Sequence, residues 1–107
     1  MDTQPTDEQP VDLSGRILGP YRLAMRIGVG GTATVYRAVD CETQAEVAVK
    51  VLHKGSDRTT VLRFHKEIAL ARVLCERYSN RNLARIVQDG QDDGLHWVAM
   101  ELMRGKT

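Results

Sequence analysis

Residues 27–50 begin Ile27-Gly28-Val29-Gly30-Gly31-Thr32-Ala33-Thr34-Val35-Tyr36, pass through the polar segment Asp40-Cys41-Glu42-Thr43, and close with Val47-Ala48-Val49-Lys50. Just upstream, Tyr21, Leu23, Met25 and Ile27 alternate with Arg22, Ala24 and Arg26, the period-two pattern of a half-buried strand. The glycines break that pattern, and residues 34–39, rich in β-branched side chains and Tyr36, resume it as a second strand. Glu46–Leu52 reads as a third strand, with Val47, Val49 and Val51 on one face and Ala48 and Lys50 on the other. Glycine reaches positive φ, and its missing side chain lets backbone N–H groups approach an anion. The layout is therefore a hairpin suited to covering phosphate oxygens, with a cation placed beyond it. A dinucleotide-binding unit requires its glycines to open a helix. Here Thr34-Val35-Tyr36 opens a strand, and Ala33 stands at the sixth position of the motif.

Downstream, Ser56 and Asp57 are candidate caps for a helix over residues 58–77, in which Phe64, Ile68, Ala71 and Leu74 or Cys75 recur at helical spacing. Glu67 falls among Phe64, Ala71 and Leu74, on the apolar side, where a carboxylate is costly unless paired. Lys50 is the partner expected for it. Residues 78–82 form a polar break. Residues 84–88 and Leu95–Glu101 read as two further strands, joined at Asp92-Asp93-Gly94 by a hairpin turn. The fold class expected is α+β: an antiparallel sheet of five strands with one main helix on a face. Residues 1–15, polar and without periodicity, read as a disordered leader, leaving 16–107 as the domain.

Composition narrows the class further. A chain of 107 residues with 42% apolar side chains holds one small domain. Its formal charge of +1 provides no bulk attraction to nucleic acid or to a membrane surface. No apolar run approaches the roughly 20 residues of a membrane helix, and the acidic N-terminus is not a secretion signal. Cys41 and Cys75 match no metal spacing and suit a reducing, cytoplasmic compartment. His53, His65 and His96 share no metal spacing either and read as solvated or loop residues; no metal site is expected. Trp97 is expected to pack in the last strand, and Arg22 and Arg26 to lie on a solvated face. Gly105-Lys106-Thr107 has the ending of a phosphate loop, but Met100 stands where its first glycine belongs.

The glycine turn, the Val-Ala-Val-Lys strand, the helix glutamate and the segment Val98-Ala99-Met100-Glu101-Leu102-Met103 occur in an order that resembles the small lobe of a protein kinase, in the bacterial group of eukaryotic-like serine/threonine kinases. The matching residues are Tyr21-Arg22-Leu23, residues 27–36, Val47 to Lys50, Arg63-Phe64-His65-Lys66-Glu67 and Met100-Glu101-Leu102. The resemblance implies ATP-dependent phosphorylation of protein serine or threonine. It implies that Ile27, Gly28, Val29, Gly30, Gly31, Thr32, Ala33 and Thr34 form the phosphate cover, and that Val35 and Ala48 roof the adenine. Lys50 would bind the α- and β-phosphates and pair with Glu67. Met100 would hold the gatekeeper position, and the backbones of Glu101 and Met103 would meet the adenine edge. Ala33 in place of the third glycine stiffens the loop tip, which Thr32 and Thr34 keep polar. The family's catalysis also needs a catalytic-loop Asp and Asn and a D-F-G Asp for Mg²⁺; no H-R-D or D-F-G occurs in the 107 residues. The expectation is an upper half-site for ATP in a truncated kinase domain, inactive as an isolated chain, with a separate large lobe or another kinase as partner. The alternative is a non-catalytic kinase-like interaction or regulatory module.

Overall fold

The computed structural model describes residues 11–78 and 85–102. Its elements in chain order are β1 (Ile17–Leu18), β2 (Tyr21–Val29), β3 (Ala33–Asp40), β4 (Glu46–Leu52), α1 (Arg58–Tyr78), β5 (Ile86–Asp92) and β6 (Leu95–Glu101). The strands form one antiparallel sheet in the order β1-β2-β3-β4-β6-β5. The α+β class is as expected, but the sheet has six strands rather than five. The extra strand is the two-residue β1, which pairs through Ile17↔Arg22 and Leu18↔Tyr21 and is too short to show periodicity in sequence. The leader expected through residue 15 is attached from its last residues. Leu13 donates its N–H to the Tyr36 hydroxyl at 3.0 Å, and Gly15 donates to the Leu23 carbonyl at 2.6 Å. Residues 1–10 and the polar break at 79–82 lie outside the described residues.

The two faces of the sheet carry different cores. On the outer face Leu18, Tyr21, Leu23, Tyr36, Val49 and Trp97 lead a large buried cluster. On the other face Leu52 and Val98 meet Phe64 and Ile68 of α1 in a smaller one. The alternation read for β4 holds, with Val47, Val49 and Val51 buried in the outer cluster. In β2 it fails halfway. Tyr21 and Leu23 are buried, but Met25 and Ile27 are 47% and 50% exposed. The register shifts between Leu23 and Met25, and again between Arg26 and Gly28. Each such bulge adds a residue and sends the following side chains to the opposite face.

Turns and caps follow local chemistry. Asp93 and Gly94 have φ of 51° and 78°, the two positive values that a tight primed hairpin turn demands. Asp40 Oδ1 accepts from the N–H groups of Glu42 and Thr43 at 2.8 and 3.2 Å, closing the turn before β4. Of the two cap candidates, Asp57 is the cap: its Oδ1 accepts the Thr60 N–H at 2.8 Å. Ser56 turns back and donates to the His53 carbonyl. The hydrogen bonds from Thr60 hold the Asp57 carboxyl below its ordinary value of 3.8. A depressed carboxyl stabilises the folded chain above that ordinary value and loses its effect as pH falls through the lowered one. Asp57→Ala is therefore expected to lower the melting temperature at neutral pH, with the gap to wild type closing in acid below about pH 4. Paired thermal melts across that range check it; a gap independent of pH contradicts the cap.

Candidate functional site

Antiparallel partners directly opposite one another project to the same face. The register pairs Gly28 with Val35, Val35 with Lys50, and Lys50 with Val98. A glycine, a β-branched residue, the lysine and an apolar residue thus line up across four strands on the face that α1 covers. The neighbouring row runs Met25, Arg37, Ala48 and Met100. Val35, Ala48, Lys50 and Met100 are all half-buried. Lys50 thus has Val35 and Val98 beside it across the strands and Ala48 two residues away along β4, on the face that α1 packs against.

The glycine turn itself differs in detail from the sequence reading. Gly30 donates its N–H to the Ala33 carbonyl at 2.8 Å, closing a short reversal between β2 and β3. None of Gly28, Gly30 and Gly31 has a positive φ; among the described residues the glycines that do are Gly15, Gly19, Gly55 and Gly94. What the turn glycines supply is space. A Cβ at Gly28 or Gly31 would meet nothing within 4 Å, while one at Gly30 would press on the Ala33 carbonyl at 3.3 Å. Ile27 and Val29 are 50% and 44% exposed beside them. Thr32 is exposed, as expected of a polar tip. Thr34 is not: its side chain is 2% exposed, and its Oγ1 lies 3.1 Å from His53 Nε2. It pairs with Val51, so it points to the outer face, away from Lys50. Ala33 is buried opposite Leu52.

Glu67 departs most from expectation. Its side chain is exposed, and no ion pair joins it to Lys50 among the described residues. The reason is the helix face in use. Val61, Phe64 and Ile68 define the stripe pressed on the sheet, and at about 100° per residue Glu67 sits roughly a quarter turn from its centre. A stripe-edge carboxylate reaches water unless the helix rolls toward the sheet. In nucleotide-free protein, Glu67→Gln is accordingly expected to leave the rate of amine-directed labelling at Lys50 within about twofold. Mass-spectrometric peptide mapping of the labelled chain measures it. A change of tenfold or more would mean that the pair forms in solution.

Other partnerships were not legible from spacing. His65 Nε2 and His96 Nδ1 are 2.9 Å apart, and Arg72 binds Asp89, so two polar links tie α1 to β5 and β6. The histidines, read as solvated, share the strand parity of Val98 and the helix side of Phe64; that parity was the available signal. In the segment expected to meet adenine, the Glu101 N–H donates to the Arg85 carbonyl at 2.9 Å, while Met103 lies outside the described residues. A cavity of about 680 Å³ lies on the opposite face from Lys50, between Leu13, Tyr36, Val51 and Leu95, and its rim reaches Gly30 and His53. The described residues hold no group of three or more His, Cys, Asp or Glu side chains suited to a metal. Among them, no helix is long and apolar enough to cross a membrane.

The six-stranded antiparallel sheet and the one helix among the described residues have the fold of a protein-kinase small lobe. Comparison with known proteins agrees. No protein-family model matches the chain. A probable serine/threonine-protein kinase of Clostridium acetobutylicum is 39% identical over 89 residues, which is 81% of this chain and 13% of that protein. The serine/threonine-protein kinase PrkC of Bacillus subtilis is 34% identical over 94 residues, 86% of this chain and 14% of that one. Serine/threonine-protein kinase pkn3 of Myxococcus xanthus is 34% identical over 109 residues, 99% and 19% respectively. Among solved structures, the apo form of PpkA-294 superposes with a TM-score of 0.69 over 88% of this chain and 39% of its own; at 22% identity that likeness concerns the fold. The chain belongs to the bacterial serine/threonine protein kinase family, and it spans 13–14% of the length of the first two of these relatives.

Proposed function

We infer that this chain supplies the upper half of the ATP site of a protein serine/threonine kinase. The observation that carries the reading is the row Gly28–Val35–Lys50–Val98 on one sheet face, with Ala48 and Met100 in the adjacent row. Val35 and Ala48 offer a flat apolar roof to a purine. Gly28 and Gly31, where an added Cβ would meet nothing within 4 Å, leave room for phosphates at the β2–β3 turn. Lys50 places an ammonium between the two, where it neutralises phosphate charge, and the backbone at Glu101 would meet the purine edge. The chemistry of transfer requires a base and Mg²⁺ ligands that these 107 residues do not contain, so the isolated polypeptide holds the nucleotide without transferring its phosphate. Glu67 would join Lys50 after a roll of α1 toward the sheet.

The test is titration of the isolated chain with ATP, following backbone amide shifts. With half of the site's contacts missing, binding at about millimolar affinity is expected, with shifts confined to residues 28–35, 48–50 and 98–102. Shifts scattered over the outer face, or none at up to about 10 mM ATP, would defeat the reading.

A second reading, an interaction module for a kinase large lobe or another kinase, is favoured by the exposed apolar side chains of α1: Leu62 at 61%, Leu70 at 58% and Val73 at 50%. Sedimentation of the chain alone and with a kinase large lobe separates the two, since a chain that stays monomeric in both cases is no such module.

A further inference from the structure

Among the described residues, α1 is attached to the sheet by a short apolar stripe, Val61, Phe64 and Ile68, and by two polar links, Arg72–Asp89 and His65–His96. We propose that the His65–His96 contact is an acid-released latch that fixes the position of α1 on the sheet. The geometry is that of a proton-sharing pair: Nε2 and Nδ1 lie 2.9 Å apart, and the rings meet edge to face at 75° with centroids 4.9 Å apart. When both imidazoles are neutral, one ring N–H donates to the other's lone pair. Adding one proton keeps the bond, now charge-assisted. Adding a second leaves two N–H donors facing each other with no acceptor between them, and two positive charges at contact distance.

The surroundings offer little to offset that second charge. Asp89, from β5, is already bound by Arg72, which lies two turns beyond His65 on α1. Gln91, opposite His96 in the β5–β6 register, is neutral. From β4 the packing residue is Leu52, and from α1 Phe64, both apolar and buried. Asp57, at the start of α1, is engaged by the Thr60 N–H. Burial first, and then the charge of His65, hold His96 below the ordinary imidazole value of 6.5. A histidine depressed in the folded state stabilises it fully above its unfolded value and loses that contribution as pH falls through the folded one. The latch is therefore closed at neutral pH and opens below about pH 6.5.

The latched position is the one in which Glu67 is exposed and unpaired with Lys50. The consequence for Lys50 rests on the nucleotide-site reading; the latch does not, so its test uses no nucleotide. Amide hydrogen exchange would be followed by NMR, corrected for intrinsic rates, from about pH 7 to about pH 5. In wild type, protection along α1 should fall by about tenfold for each unit that the pair is forced from its preferred titration, while β2–β4 keep theirs. In His96→Gln, which retains a hydrogen-bonding amide but takes no proton, the α1 profile should be flat. Parallel profiles in the two proteins would overturn the latch. If His96→Gln does not fold, ring-nitrogen shifts of wild type decide: two coupled steps, the lower one below 6.5, support it, and two independent ordinary titrations overturn it. ATP binding alongside a flat wild-type profile would sink the latch alone; an acid-labile α1 in a chain that ignores ATP would sink the nucleotide site alone.

Discussion

Trp97→Ala should destabilise the protein by about 3–5 kcal/mol, the largest single-residue effect expected in this chain. Trp97 is 1% exposed at the centre of the outer-face cluster, with Tyr21 against it edge to face at a centroid distance of 5.8 Å. Two glycines clasp its ring. A Cβ at Gly19 would come within 2.6 Å of Cζ2, and one at Gly90, its cross-strand partner, within 2.8 Å. The ring thus fills space that neighbouring side chains were given up to provide, and a truncated residue leaves a cavity that backbone on two sides cannot collapse into. The indole Nε1 is buried with no partner among the described residues, so Trp97→Phe removes an unsatisfied donor and should cost markedly less. Gly90→Ala, which forces an atom into the ring, should cost about 1–3 kcal/mol. Urea denaturation of the three variants measures all of this. Small domains have only about 5–15 kcal/mol in total, so Trp97→Ala should remove a large share of the folding free energy. A cost below about 1 kcal/mol for the alanine variant would mean that the outer cluster is not the core. The effect reaches the site because Val49 and Val51, on either side of Lys50 along β4, are anchored in that cluster.

Lys50→Ala should weaken ATP binding by about 10- to 100-fold, the equivalent of the roughly 1.5–3 kcal/mol carried by a hydrogen bond to a charged group. Its effect on adenosine, which has no phosphate, should be small. That contrast separates a lysine that holds phosphate from one that merely shapes the face. Lys50→Arg keeps the charge but changes its geometry and should fall between the two, since a planar guanidinium does not replace a compact ammonium. The substitution should not unfold the chain: Lys50 is half-buried, and its neighbours in the row, Val35 and Val98, hold the strands in register without it. Amide-shift titrations with both ligands, on wild type and variant, provide the comparison. Equal losses for ATP and adenosine would assign Lys50 a structural role; no loss for either would remove it from the site.

Much of the fold could be read from the chain because its signals are local. The period-two run of Glu46–Leu52 and the Asp93-Gly94 turn needed no tertiary partner to be recognised, and α1 starts at Arg58, as its cap predicted. Elsewhere the readable pattern misled. Met25 and Ile27 continue the alternation of Tyr21 and Leu23, yet bulges in β2 turn them toward solvent. The polar residues of β5 after Gln88 do not look like a strand, because an edge strand with a solvated face has little apolar signal to show. Thr34 follows the glycine turn and reads as part of its polar tip, but strand parity sends it to the other face, against His53.

By itself the sequence determined which residue types are available to the site: the small residues at 28–33, the apolar roof, the lysine at the end of a buried strand, and the carboxylate on a helix. It determined the order of the elements as well, because capping, turn and strand periodicities act over a few residues. Tertiary structure alone decided which of these groups meet. Register brought Gly28, Val35, Lys50 and Val98 into one row. Packing of Phe64 and Ile68 on the sheet set the roll of α1, and that roll left Glu67 in solvent while bringing His65 onto His96. The rotation of a helix on a sheet depends on contacts between residues some thirty positions apart, such as His65 and His96, and no periodicity within either segment encodes it.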